Sequence, residues 1–120
     1  DHWEKFFTAF NKNAVITNAR TASFMKYSIN TFLATKVAFM NELEDQYGGD
    51  WNALRSLLEL DPRLSASHLD VPGSDGRVGY GGECFPKDVK AFISYAKIHE
   101  YNTQLTILEQ AHLSNLKRRL

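Results

Sequence analysis

The sequence predicts a mainly α-helical fold: one long central helix, shorter helices packed around it, and a glycine-rich loop between them. Three observations carry that expectation. Apolar residues recur at helical spacing through most of the chain, Gly and Pro fall between those stretches or in a first turn, and only one short β-branched run breaks the pattern. At 120 residues the chain is the size of one domain.

In order along the chain, "WEKFFTAF" at 3–10 spaces Trp3, Phe6, Phe7 and Phe10 as on a helix, and "NAVITN" at 13–18 reads as a brief strand. A lone strand has nothing to pair with, so residues 1–18 are expected to be the tail of a larger sheet domain, with residues 19–120 forming the helical one. The long helix is expected at about 21–47, where Phe24, Tyr27, Phe32, Val37, Phe39 and Met40 reach nearly every face. Such a helix has to be covered on nearly every face, by its own domain and by a second copy of the chain, which predicts a homodimer. Gly48 and Gly49 stop it, and Asp50 caps a helix at about 51–59 that ends before Pro62. Residues 65–82 read as loop. Pro86 opens a helix with a stripe of Val89, Phe92, Ile93 and Ala96. A last helix from about 103 carries Leu105, Leu108, Leu113, Leu116 and Leu120, with Lys117, Arg118 and Arg119 suiting its C-terminal end.

Charge and composition exclude some functions. Fourteen basic and fourteen acidic side chains cancel, which leaves no field to attract nucleic acid or an anionic membrane. No apolar run is long enough to span a bilayer, and a single cysteine cannot form an internal disulfide, as suits the cytoplasm. No metal site is expected.

Chemistry concentrates in "GYGGECFPKD" at 79–88. Its glycines let backbone come close to a bound group, Pro86 places Cys84 just before a helix whose positive end favours a thiolate, and Lys87 adds a charge nearby. Asp88, in the first turn, could hold a water. On the long helix Lys26 and Asn30 lie four apart and share a face, an ammonium and an amide placed to stabilise an oxyanion. On residues alone, a buried inert thiol stays as open as a reactive one, and a snorkelling lysine with a solvated asparagine is the commoner arrangement.

The stretch "TASFMKYSINTFLATKVAFMNE", followed by "VPGSDGRVGYGGECFPKD", resembles the central domain of the UDP-glucose 6-dehydrogenase family, which includes dehydrogenases of GDP-mannose and UDP-N-acetyl-mannosamine. Residues 1–18 look like the closing helix and strand of that family's dinucleotide-binding domain. The resemblance implies oxidation of a nucleotide sugar at C6, most readily UDP-glucose, by two NAD molecules through a covalent cysteine thiohemiacetal and thioester. It implies Cys84 as nucleophile, Lys26 and Asn30 at the oxyanion and the substrate, and Asp88 at the water. Gly73, Tyr80 and Gly81 would lie against the sugar, Cys84, Phe85 and Lys87 against NAD, and Arg63 would reach a partner subunit's substrate. Glu83 stands where a small residue is usual and is expected to face away from the thiol. His68 is read as a loop histidine. The rival readings are an inert dimerisation module, and a thiol hydrolase pairing Cys84 with His68 or His99.

Overall fold

The computed structural model describes residues 19–82, 84–99 and 104–119. The expected helix and strand within residues 1–18, and the orientation of Glu83, lie outside them. Four helices make up the described structure: α1 (Ala19–Tyr47), α2 (Trp51–Leu58), α3 (Cys84–His99) and α4 (Thr106–Arg119). The mainly α-helical expectation holds, and no helix among the described residues is long and apolar enough to cross a membrane.

Local chemistry sets the boundaries. Gly48 ends α1 at φ +67°, a left-handed conformation that glycine adopts without a Cβ penalty, and its amide donates to the Glu44 carbonyl at 3.2 Å. Asp50 caps α2 by accepting from the Asn52 amide at 3.1 Å. The loop between α2 and α3 is longer than expected at its start, since α2 ends at Leu58.

Helix α3 lies antiparallel along the first half of α1. The register is read from Arg20 bonded to the Tyr95 hydroxyl (3.4 Å), Phe24 edge-on to Phe92 (5.0 Å), and Asn30 bonded to Asp88 (2.6 Å). Helix α4 packs against both. Ala34, Ala38, Tyr80, Val89, Phe92 and Leu108 form the core where they meet, and Met40, Trp51 and Leu69 form a second cluster beneath α2. The Trp51 indole donates to the Leu69 carbonyl at 2.8 Å, which ties the long loop down at its midpoint.

Two helices depart from their apolar patterns. Apart from Met40, the buried residues of α1 are small or polar (Asn30, Thr31, Ala34, Ala38, Asn41), while Phe32 and Phe39 point outward at 69% and 55% exposure. On α4 only part of the leucine stripe is buried: Leu108 is in the core with Leu105 packed against it, Leu113 and Leu116 are exposed, and Asn115 is buried. Small residues let the helices approach closely, and the groups that need enclosure there are polar ones with partners waiting.

Candidate active site

Cys84 is the first residue of α3 and a free, exposed thiol. It lies inside the first turn rather than just before it. Pro86 is tolerated there because first-turn amides have no intrahelical acceptor to lose. Asp88 follows one turn later on the same face, so the thiol and the carboxylate sit roughly 5–6 Å apart at their Cβ atoms. Asp88 is 1% exposed. The Asn30 carboxamide nitrogen donates to its Oδ2 at 2.6 Å. Its Oδ1 accepts no hydrogen bond from any described residue, and the Lys87 ammonium stands 3.5 Å from it. Lys87 itself is largely exposed. One carboxylate oxygen is therefore fixed, and the other keeps free lone pairs beside a cation.

Lys26 is exposed on α1, one turn before Asn30. Because α1 and α3 are antiparallel, Lys26 and Cys84 flank the Asn30–Asp88 contact from opposite ends, about 12 Å apart along the helix axes at 1.5 Å per residue. An ammonium and a thiol so placed would close on a ligand from two sides rather than touch each other.

Beside the start of α3 the glycine-rich loop walls an open cleft of about 320 Å³. Four residues expected at the ligand line it, Gly73, Tyr80, Gly81 and Phe85, joined by His68 and Arg119. Side chains that the sequence did not single out hold this loop. The Asn41 carbonyl oxygen accepts from the Gly79 amide (2.9 Å), and Asn115 grips the Tyr80 backbone on both sides, accepting from its N–H (2.6 Å) and donating to its C=O (3.0 Å). Arg119 donates to the Gly79 carbonyl (3.1 Å) and to Asp75 (2.8 Å). The Arg77 amide and then Arg119 hold the Asp75 carboxyl below its usual range. The buried Tyr80 phenol, raised to about 12 by desolvation, bonds His112 Nδ1 at 3.0 Å. Burial, then the Lys90 charge, lowers His112.

Arg63 lies away from the cleft. It is exposed at a loop turn, with its guanidinium and its backbone amide on the Asp61 carboxylate at 2.6–3.3 Å. His68 sets its ring 5.6 Å from that of Phe85. The His99 side chain lies outside the described residues. No group of three or more His, Cys, Asp or Glu among the described residues could hold a metal ion.

Comparison with known proteins shows the family. The sequence matches the UDP-glucose/GDP-mannose dehydrogenase family, central domain, over residues 20–117. It is 38% identical over 107 residues to UDP-glucose 6-dehydrogenase of Rickettsia bellii, covering 87% of this chain and 23% of that protein. It is 35% identical over 113 residues to UDP-glucose 6-dehydrogenase of Pseudomonas aeruginosa, covering 92% and 24%. An uncharacterized protein of Methanocaldococcus jannaschii is 36% identical over 116 residues, 94% of this chain and 12% of its own length. The chain thus spans about a quarter or less of the curated relatives it matches.

Proposed function

Because the chain belongs to the UDP-glucose/GDP-mannose dehydrogenase family, we propose that it is the cysteine-bearing domain of an enzyme that oxidises UDP-glucose at C6 to UDP-glucuronate. The observation that carries this reading is the Asp88 carboxylate, buried and fixed on one oxygen by Asn30, its other oxygen enclosed yet hydrogen-bonded to no described residue, one turn from an exposed thiol. A buried carboxylate oxygen ordinarily has a hydrogen-bond partner. One left without suits a water that enters with the substrate and must lose a proton.

The first oxidation takes a hydride from C6 and the hydroxyl proton, and turns the alcohol into an aldehyde. The Cys84 thiolate adds to its carbonyl carbon, a C–S bond forms, and the oxygen takes a proton to give the thiohemiacetal. As negative charge gathers on that oxygen, the second N–H of Asn30 and the Lys26 ammonium are the donors available to it. Loss of a second hydride from the same carbon, with the hydroxyl proton released, leaves a thioester. Water then attacks, giving its proton toward the free oxygen of Asp88, and the C–S bond breaks to return the thiol and release the acid. NAD supplies the hydride acceptor for each oxidation, two molecules in all. Among the described residues there is no sheet to hold a dinucleotide, so NAD would be bound mainly by chain beyond them. Phe85, half-buried at the cleft, and the exposed Lys87 are the groups this domain offers its nicotinamide end.

Gly73, Tyr80 and Gly81 wall the sugar in this reading, and Arg63, free of the cleft in its own chain, reaches the site of a second copy. The outward Phe32 and Phe39 on α1 would be covered in a homodimer. A cytoplasmic location suits the lone thiol.

The test uses the full-length protein. Cys84→Ala is expected to abolish acid formation from UDP-glucose, and Asp88→Asn to slow hydrolysis so that a thioester accumulates and is trapped by hydroxylamine. Uronate production at the normal rate by Cys84→Ala sinks the reading. Turnover of GDP-mannose or UDP-N-acetyl-mannosamine in place of UDP-glucose would move the assignment within the family. An inert dimerisation module predicts instead that iodoacetamide labels Cys84 at the rate and pH profile of an ordinary thiol.

A further inference from the structure

We propose that Asn115 of α4, supported by Asn41 of α1, is a positioning residue that sets the wall of the substrate cleft without touching the reacting groups. The inference rests on the function proposed above. Its basis is the peptide between Gly79 and Gly81. Two consecutive amides, those of Gly79 and Tyr80, are each captured by an asparagine oxygen, and the two asparagines come from different helices. Asn115 also returns its NH₂ to the Tyr80 carbonyl, so one side chain pairs with both backbone groups as a neighbouring strand would. Asn41 is locked in turn by donating to the Val37 carbonyl at 2.8 Å. These bonds fix which end of each carboxamide is oxygen.

Both side chains are almost wholly buried, at 1% and 3% exposure, where an unpaired amide would be costly and a leucine would be the ordinary occupant. The fit also requires Gly79, which holds φ +79° and has the Asn115 oxygen where a Cβ would stand. Tyr80, Gly81 and Phe85 then form the cleft wall. The thiol, Asp88 and Asn30 are held by α1 and α3 and do not depend on this grip. Loss of the grip should therefore weaken ligand capture and spare the chemistry.

In the full-length enzyme, Asn115→Ala is expected to raise KM for UDP-glucose about tenfold or more with kcat within about threefold. Iodoacetamide labelling of Cys84 should be unchanged, and hydrogen exchange at the Gly79 and Tyr80 amides should accelerate. Asn115→Asp keeps the acceptor for the Tyr80 amide but loses the donor, so it should fall between wild type and alanine; it carries the same comparison if Asn115→Ala does not fold. Leu54→Ala on α2 is the control, since it loosens the second core cluster, to which neither Tyr80 nor Asn115 belongs, and its KM should stay near wild type. Unchanged exchange at Tyr80 overturns the proposal. So does a KM rise in Leu54→Ala equal to that of Asn115→Ala at a matched loss of Tm, or a fall in kcat at constant KM. If the unmutated enzyme makes no acid from UDP-glucose, the proposed function fails, and exchange alone then decides whether the grip exists.

Discussion

Helices α3 and α4 invite the same reading and fold by different rules. Each shows an apolar stripe in the sequence and each packs against α1. In α3 the stripe turns inward: Val89 and Phe92 are buried, with Ile93 and Ala96 half-buried behind them. In α4 the face that turns inward reads Leu108, His112, Asn115 and Arg119, while Leu113 and Leu116 stand in the open. The difference lies in what each helix meets. α3 meets side chains of α1. α4 meets the glycine-rich loop, whose backbone N–H and C=O groups have no strand to pair with and have to be satisfied as they are enclosed. Apart from Asp88, which Asn30 pairs, α3 buries carbon against the rings of Phe24 and Tyr27, and α4 buries a carboxamide against irregular backbone.

The largest effect expected from that contrast is on α3. Phe92, 8% exposed and stacked among Phe24, Tyr27 and Tyr95, should cost about 3–5 kcal/mol when cut to alanine, read as a lower midpoint in urea unfolding. A loss under about 1 kcal/mol would mean that α3 is not held by its apolar face. The next effect inverts ordinary intuition. Asn115→Leu makes α4 more apolar on its buried side, yet it should destabilise by about 1–3 kcal/mol, because the Tyr80 N–H and C=O lose their partners inside the protein. If that variant is as stable as wild type or more so, the distinction between the helices is wrong.

The same contrast marks what could be read from residues alone. The limits of α1 and α2 were legible because Gly48 and Asp50 act on their own neighbours, through a left-handed stop and a side-chain cap. So was the inward face of α3, whose partners are other apolar side chains. Candidate site residues could be named from a motif and from the i, i+4 spacing of Lys26 with Asn30, and the fold joins two of them, Asn30 and Asp88. The bond from Asn30 to Asp88 was not, since it closes a gap of 58 positions that no local rule spans. The roles of Asn41 and Asn115 were hidden for another reason. Their partners are backbone amides, which every residue carries, so nothing in the composition of the loop announces them. The one available sign was spacing: positions 108, 112, 115 and 119 share a face of α4, and three of them are polar.

A smaller effect comes from His112, which shares the buried side of α4 and accepts from or donates to the Tyr80 hydroxyl according to its tautomer. Burial, with Lys90 nearby, lowers its folded value from 6.5. The unfolded chain thus binds the proton first as pH falls. The contribution of His112 is full above about 6.5 and is lost as pH drops through the lower folded value. Asp45, Asp61 and Asp75, each held low by arginine contacts, act in a separate window beginning near 3.8. His112→Gln keeps a partner for the phenol and removes the titration, so stability plotted against pH should flatten just below 6.5 and remain steep in the acid range. An unaltered slope there would place the titrating group elsewhere.

The smallest expected effect is the most telling about α4. Leu113 belongs to the stripe that the sequence presents, and Leu113→Gln removes a large apolar side chain from a helix that looks built on leucines. Half exposed, it should cost no more than about 0.5 kcal/mol in urea unfolding of the chain. Leu108→Ala, one and a half turns earlier and 7% exposed, should cost about 2–5 kcal/mol in the same assay. The two leucines are alike in type and in apparent pattern, and only the direction each faces separates them. A loss from Leu113→Gln approaching that of Leu108→Ala would mean that the leucine side of α4 is enclosed after all, and the loop would then need some other explanation for its bonds to Asn115.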